Sequence, residues 1–78
     1  PNPFNPTTTI NYSVDTFSVV NISIYSMSGE LIQTLVNISR KPGQYSVQWN
    51  ASNLPSGLYF VKLVSDSKIA EQKILFIK

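Results

Sequence analysis

Apolar and polar residues alternate one by one through several short stretches of this 78-residue chain. Successive side chains of a β-strand point to opposite faces, so a period of two predicts strands that are buried on one face. The alternation predicts strands at 9–14, 18–25, 30–36, 45–49, 58–65 and 69–77. No stretch has the three-to-four residue spacing of an amphipathic helix. The chain is therefore predicted to be all-β, an antiparallel β-sandwich of about six to seven strands.

Turn-forming residues separate the predicted strands. Gly29 is predicted to supply a flexible hairpin turn, and Pro42-Gly43 combines a preset φ with a residue that accepts a positive φ. The composition of 50–57 predicts a loop. The first nine residues contain three prolines and are predicted to be an extended leading segment.

The size of the chain allows one domain with one core, and we assign residues 1–78 to it. Only 13% of the residues are charged, and Ser, Thr and Asn dominate the polar positions, which is typical of an extracellular β-rich module. The chain contains no cysteine and begins with Pro1 instead of Met. We expect it to be a fragment of a longer secreted protein whose export signal lies upstream.

The reactive side chains do not form a catalytic or metal-binding pattern. The chain has no histidine, and its four carboxylates (Asp15, Glu30, Asp66 and Glu71) have no spacing suited to acid/base catalysis. The sequence brings no particular Ser and Lys together, and loop 50–53 offers oxygens to Ca²⁺ without a carboxylate. We therefore expect no enzyme activity, metal or cofactor. The scattered net charge of +2 and the short apolar runs predict neither nucleic-acid binding nor a membrane span.

The aromatic residues allow two interpretations. Rings at Tyr12, Tyr25, Tyr45, Trp49, Tyr59 and Phe60 could form a platform that stacks on sugars. Three of them, Tyr45, Trp49 and Tyr59, lie in the apolar phase of their strands, which favours packing in the core.

Three longer motifs resemble one known family. The stretches 2–12 (NPFNPTTTINY), 24–32 (IYSMSGELI) and 49–60 (WNASNLPSGLYF) look like the type A C-terminal sorting domain of cargo of the type IX secretion system, also called the Por secretion system. The resemblance covers the whole chain and implies an immunoglobulin-like fold at the C-terminus of proteins exported by Bacteroidota and related phyla.

The family resemblance also implies a function. Such a domain directs its upstream cargo from the periplasm through the type IX translocon to the cell surface or the extracellular space. A sortase-like peptidase commonly removes the domain before the cargo is released or anchored. The domain itself is a non-catalytic label.

Carried over residue by residue, the resemblance implies structural anchors at Phe4, Ile10, Tyr12, Gly29, Gly43, Trp49, Ser56, Gly57 and Tyr59. Two positions depart from the family pattern. Asn50 stands where relatives often have an aspartate, and Arg40-Lys41 replaces an acidic or glycine-rich tract.

The last strand is the predicted recognition element. It ends in Ile74, Leu75, Phe76, Ile77 and Lys78, a run that is apolar on both faces before the final lysine. We expect the export machinery to recognise this strand by adding a strand to its edge. The alternatives are a structural or adhesive immunoglobulin-like module, similar to a domain of flagellar hook-capping proteins, and a carbohydrate-binding module of an extracellular enzyme.

Overall fold

A computed structural model describes residues 6–77, which form six β-strands and, within that range, no helix. The strands are β1 (Thr7–Val14), β2 (Ser18–Ser26), β3 (Leu31–Arg40), β4 (Gly43–Asn50), β5 (Gly57–Ser65) and β6 (Lys68–Phe76). Each stretch that alternates in the sequence is a strand, which confirms the all-β prediction. The largest difference is β3, which the alternation ended at residue 36. It continues because its ladder with β2 extends until Arg40 lies opposite Ser18.

The strands form two antiparallel sheets that pack as a small β-sandwich. The large sheet has the order β3-β2-β5-β6, and the small sheet consists of β1 and β4. The predicted hairpin is β2 followed by β3, and β5 pairs with both β2 and β6. Side chains from both sheets meet in one core. The predicted sandwich architecture is therefore confirmed.

Trp49 lies at the centre of the core and connects the sheets. Its ring is 1% exposed and contacts Tyr59 edge-on at a centroid distance of 5.5 Å. Phe76, near the end of β6, packs against it at 6.4 Å. Each such ring buries roughly 150–250 Å². The three rings thus join β4, β5 and β6, and Ile22 and Ile24 of β2 complete the same core.

The turn between β2 and β3 depends on a glycine. Gly29 has φ +90°, in the region that side chains with a Cβ rarely adopt. Its N–H donates to the carbonyl oxygen of Ser26 at 3.0 Å, and the N–H of Ser26 donates to the carbonyl oxygen of Glu30 at 2.9 Å. These bonds close the turn from which β3 begins.

Candidate recognition edge

β6 is an outer strand of the large sheet and pairs only with β5 among the strands of residues 6–77. Its ladder runs from Lys68 opposite Ser65 to Phe76 opposite Gly57 without a register shift. The second edge of β6 is therefore regular, and no strand in the described range pairs with it. A regular strand edge of this kind is a template for pairing with another chain.

The structure divides the predicted recognition run between two faces of β6. Phe76 is buried against Trp49, and Ile74 is half-buried against the same core. Leu75 is 62% exposed, and Ile77, just beyond the strand, is 57% exposed. Lys78 lies outside the described residues. Of the four described residues in the run, Leu75 and Ile77 are thus the ones whose side chains are available to a partner.

The exposed face of β6 also includes Ile69, which belongs to the predicted recognition strand but not to the apolar run at its end. Ile69 is 72% exposed, the largest exposure among the large apolar side chains of the described residues. It shares the outward phase with Glu71, Lys73 and Leu75, all of them exposed. The alternation in the sequence was sufficient to place Ile69 on the same face as Leu75, because residues an even number of positions apart lie on the same face of a strand.

Further apolar side chains continue this surface onto the neighbouring strands. Leu58 of β5, 39% exposed, lies opposite Leu75, and Phe60 lies opposite Lys73. Tyr25 of β2 lies opposite Phe60 on the other side of β5. One end of the outer face is therefore an apolar surface that reaches from β6 to β2.

The beginning of β6 is tied to the small sheet. The ammonium Nζ of Lys68 donates to the carbonyl oxygen of Ser13 at 3.0 Å and lies 3.1 Å from its Oγ. No Ser–Lys pair was predicted from the sequence, and the structure brings this one together across the two sheets. Both contacts join the beginning of β6 to β1 across the two sheets. We therefore assign this contact a structural role.

An open cleft of about 280 Å³ separates the middle of β6 from β1. It is lined by Ile10 of β1, by Ala70 and Gln72 of β6, and by core residues that include Val61 and Leu63. Ala70 and Gln72 are exposed although they share the inward phase with Phe76. The contacts that hold β6 to the small sheet are consequently concentrated at its two ends.

The structural anchors implied by the family resemblance remain predictions, and most of them lie within the described residues. Tyr12, Trp49 and Tyr59 are buried, Ile10 is half-buried, and Ser56 is at the surface just before β5. Phe4 lies outside the described residues.

Two strands begin with the same local arrangement. The Tyr45 hydroxyl donates to the carbonyl oxygen of Lys41, and the Tyr59 hydroxyl donates to that of Pro55, both at 2.7 Å. In each case the tyrosine follows a glycine of positive φ by two residues (Gly43, φ 156°; Gly57, φ 157°). A tyrosine hydroxyl that bonds a few residues upstream is typical of immunoglobulin-like sandwiches.

The loop considered for calcium is a local turn. The Asn50 side-chain oxygen accepts a bond from the N–H of Ser52 at 2.9 Å, as Asn does in turns. Within residues 6–77 no three His, Cys, Asp or Glu side chains are grouped to hold a metal.

The rings considered for sugar binding lie mostly in the interior. Tyr12, Trp49 and Tyr59 are buried. Tyr45 stacks on Tyr12 at 5.5 Å and lies under the Arg40 guanidinium at 4.9 Å. These four rings pack within the protein, which matches the core interpretation made for three of them.

Residues 6–77 contain no helix of the length and apolar character that a membrane span requires.

The fold and the site together define a small β-sandwich module in which β6 is a regular outer strand of the large sheet. The model of the family described as the secretion system C-terminal sorting domain matches residues 1–78. The chain therefore belongs to this family of type IX sorting domains, whose members carry a signal for export to the cell surface or the extracellular space. Neither a curated protein nor a solved structure matched the chain.

Proposed function

We propose that this chain is the C-terminal domain of a longer secreted protein and that it directs the upstream cargo through the type IX translocon. Membership of the sorting-domain family over residues 1–78 is the observation that carries the proposal. In this proposal the cargo first enters the periplasm, and the translocon then carries it across the outer membrane. A separate sortase-like peptidase removes the domain afterwards, and the domain itself catalyses no step.

The translocon recognises the domain at β6 in this proposal. The regular outer edge of β6 offers backbone N–H and C=O groups to an added strand, and such main-chain bonds supply affinity. The exposed side chains of Leu75 and Ile77 supply specificity by filling apolar pockets of the partner. The buried Phe76 holds the end of the strand in place against Trp49.

The test is delivery of a reporter by a type IX host. Residues 1–78 are fused behind a signal peptide and a reporter protein, and the surface-exposed reporter is measured. The double substitution Leu75→Ser with Ile77→Ser removes the apolar contacts and leaves Phe76 in the core. We expect surface delivery to fall about tenfold or more, because losing two apolar anchors costs a few kcal/mol of binding. A deletion of residues 73–78 is less informative because it also removes Phe76.

The matched control lies on the opposite edge of the same sheet. Leu31 and Ile38 of β3 are 58% and 50% exposed, so Leu31→Ser with Ile38→Ser makes the same chemical change at similar exposure. We expect this variant to be delivered like the unmodified domain. Equal delivery of both double variants would exclude β6 as the recognised edge, and failure of the unmodified fusion would exclude the sorting function itself.

A further inference from the structure

The outward face of β6 has an order of side chains that is complementary to itself. Ile69, Glu71, Lys73 and Leu75 are all exposed and follow one another along this face as apolar, acidic, basic and apolar. In an antiparallel pair, residues that lie directly opposite each other point to the same face and interact. Reversing this order therefore places each charge opposite its counter-charge.

We propose that two copies of this chain pair antiparallel through β6, with Gln72 opposite Gln72 of the second copy. Glu71 of each copy then lies opposite Lys73 of the other, and Ile69 lies opposite Leu75. Both charge pairs and both apolar pairs form on one face of a joined eight-stranded sheet. A pairing of this kind is isologous and closes as a two-fold symmetric dimer.

Charge and face together select this register. A shift by two residues in one direction places Glu71 opposite Glu71, and in the other direction it places Lys73 opposite Lys73. Each of these shifts also separates Ile69 from Leu75 of the other copy. One of the two then lies opposite a charged residue, and the other lies opposite a position beyond the end of the strand. A shift by one residue places the outward residues of one copy opposite the inward residues of the other. The register centred on Gln72 is therefore favoured over its neighbours.

The backbone of β6 is suited to such a ladder. Its pairing with β5 is continuous over nine residue pairs, so the outer edge is regular across positions 69–75. The opposite edge of the sheet differs, because the β2–β3 pairing contains register shifts between Ile22 and Ser23 and between Ile24 and Tyr25. The inference stands on β6 alone and does not require the proposed function. Pairing of two copies and strand addition by a translocon would exclude each other.

Sedimentation velocity and light scattering of the 78-residue chain over a concentration series test the dimer. Each cross-strand charge pair contributes modestly, and like charges oppose pairing by similar amounts. The substitutions Glu71→Lys and Lys73→Glu each place like charges together at two positions, so each is expected to weaken the dimer about tenfold or more. The double substitution Glu71→Lys with Lys73→Glu exchanges the charges and is expected to restore the original affinity within about threefold.

Glu30→Lys is the matched control, because it makes the same charge change in the exposed β2–β3 turn, and its dimer affinity should match the original. Circular dichroism confirms that each variant is folded. A second measurement is hydrogen exchange, in which amides of β6 should become more protected at higher concentration while those of β3 do not. A chain that stays monomeric up to about 1 mM overturns the proposal. A dimer that tolerates both single substitutions, or a double variant as weak as the single ones, also overturns it.

Discussion

The two edge strands of the large sheet, β3 and β6, expose apolar side chains to a similar extent but differ in regularity. Leu31 and Ile38 on β3 are 58% and 50% exposed, and Ile69 and Leu75 on β6 are 72% and 62% exposed. The β3 ladder contains register shifts, whereas the β6 ladder is continuous. Bulges twist an edge away from a new partner, and charged side chains are another common means of protecting an edge.

Exposed apolar area alone therefore does not distinguish the two edges. β3 has no charged residue before Arg40, and its irregular pairing with β2 opposes the addition of a long strand. β6 is regular, and its outward charges are Glu71 and Lys73, which have opposite sign and lie two residues apart. Charges in this order repel strands of the wrong register and still permit a complementary strand. Of the two outer strands of the large sheet, β6 is the one at which we propose recognition.

The largest expected effect is a difference in stability between substitutions on the inward face of β6, where Phe76 packs against Trp49, and on its exposed outward face. Phe76→Ala leaves a cavity beside Trp49 and is expected to lower the free energy of unfolding by about 3–5 kcal/mol. Leu75→Ala, at the adjacent exposed position, is expected to change it by less than about 0.5 kcal/mol. Urea unfolding followed by Trp49 fluorescence at low protein concentration measures both variants. Similar losses for the two variants would contradict the assignment of inward and outward faces.

A smaller effect is expected at the turn from which β3 begins. Gly29→Ala places a Cβ on a residue with φ +90°, which is expected to cost about 1–2 kcal/mol in the free energy of unfolding. Met27→Ala, in the same turn at a 52% exposed position, is the control and should cost less than about 0.5 kcal/mol. Thermal or urea unfolding measures the difference. Equal stability of the two variants would show that the turn adapts to a side chain at position 29.

The smallest expected effect concerns the beginning of β6. Lys68→Met removes the bonds to Ser13 and is expected to cost about 1 kcal/mol in the free energy of unfolding. Lys73→Met removes an exposed ammonium from the same strand and should cost less than about 0.5 kcal/mol. Hydrogen exchange should also quicken at the start of β6 in the first variant only. If the two variants exchange alike, the contact with Ser13 does not hold the strand.

The sequence was sufficient to predict the strands and, for most of them, the buried face. In the strand predicted at 18–25 the alternating apolar residues Val20, Ile22 and Ile24 are buried, as a strand with one buried face requires. Ser23 departs from this alternation, because it is buried in the outward phase, where its hydroxyl donates to the side-chain oxygen of Asn21 at 2.7 Å. Alternation along the sequence predicts which apolar side chains are buried. It does not predict the burial of a polar side chain whose hydrogen bonds are satisfied by neighbouring residues.

The candidate site was predicted only in part. The apolar run at 74–77 drew attention to β6, because residues that are apolar on both faces need either a core or a partner. The run alone could not show that Phe76 contacts Trp49, since residues 49 and 76 meet through the packing of two sheets. The bond between Ser13 and Lys68 could not be predicted from the sequence for the same reason.

The sequence by itself determined the all-β class, the approximate strand boundaries and the inward phase of most strands, because these depend on residues that are neighbours along the chain. The motifs at 2–12, 24–32 and 49–60 also indicated the family that the match over residues 1–78 confirms. Only the tertiary structure decided the strand order, and with it that β6 is an outer strand with an available edge. Strand order is set by side chains that pack across sheets, and local periodicity contains no information about which strands become neighbours.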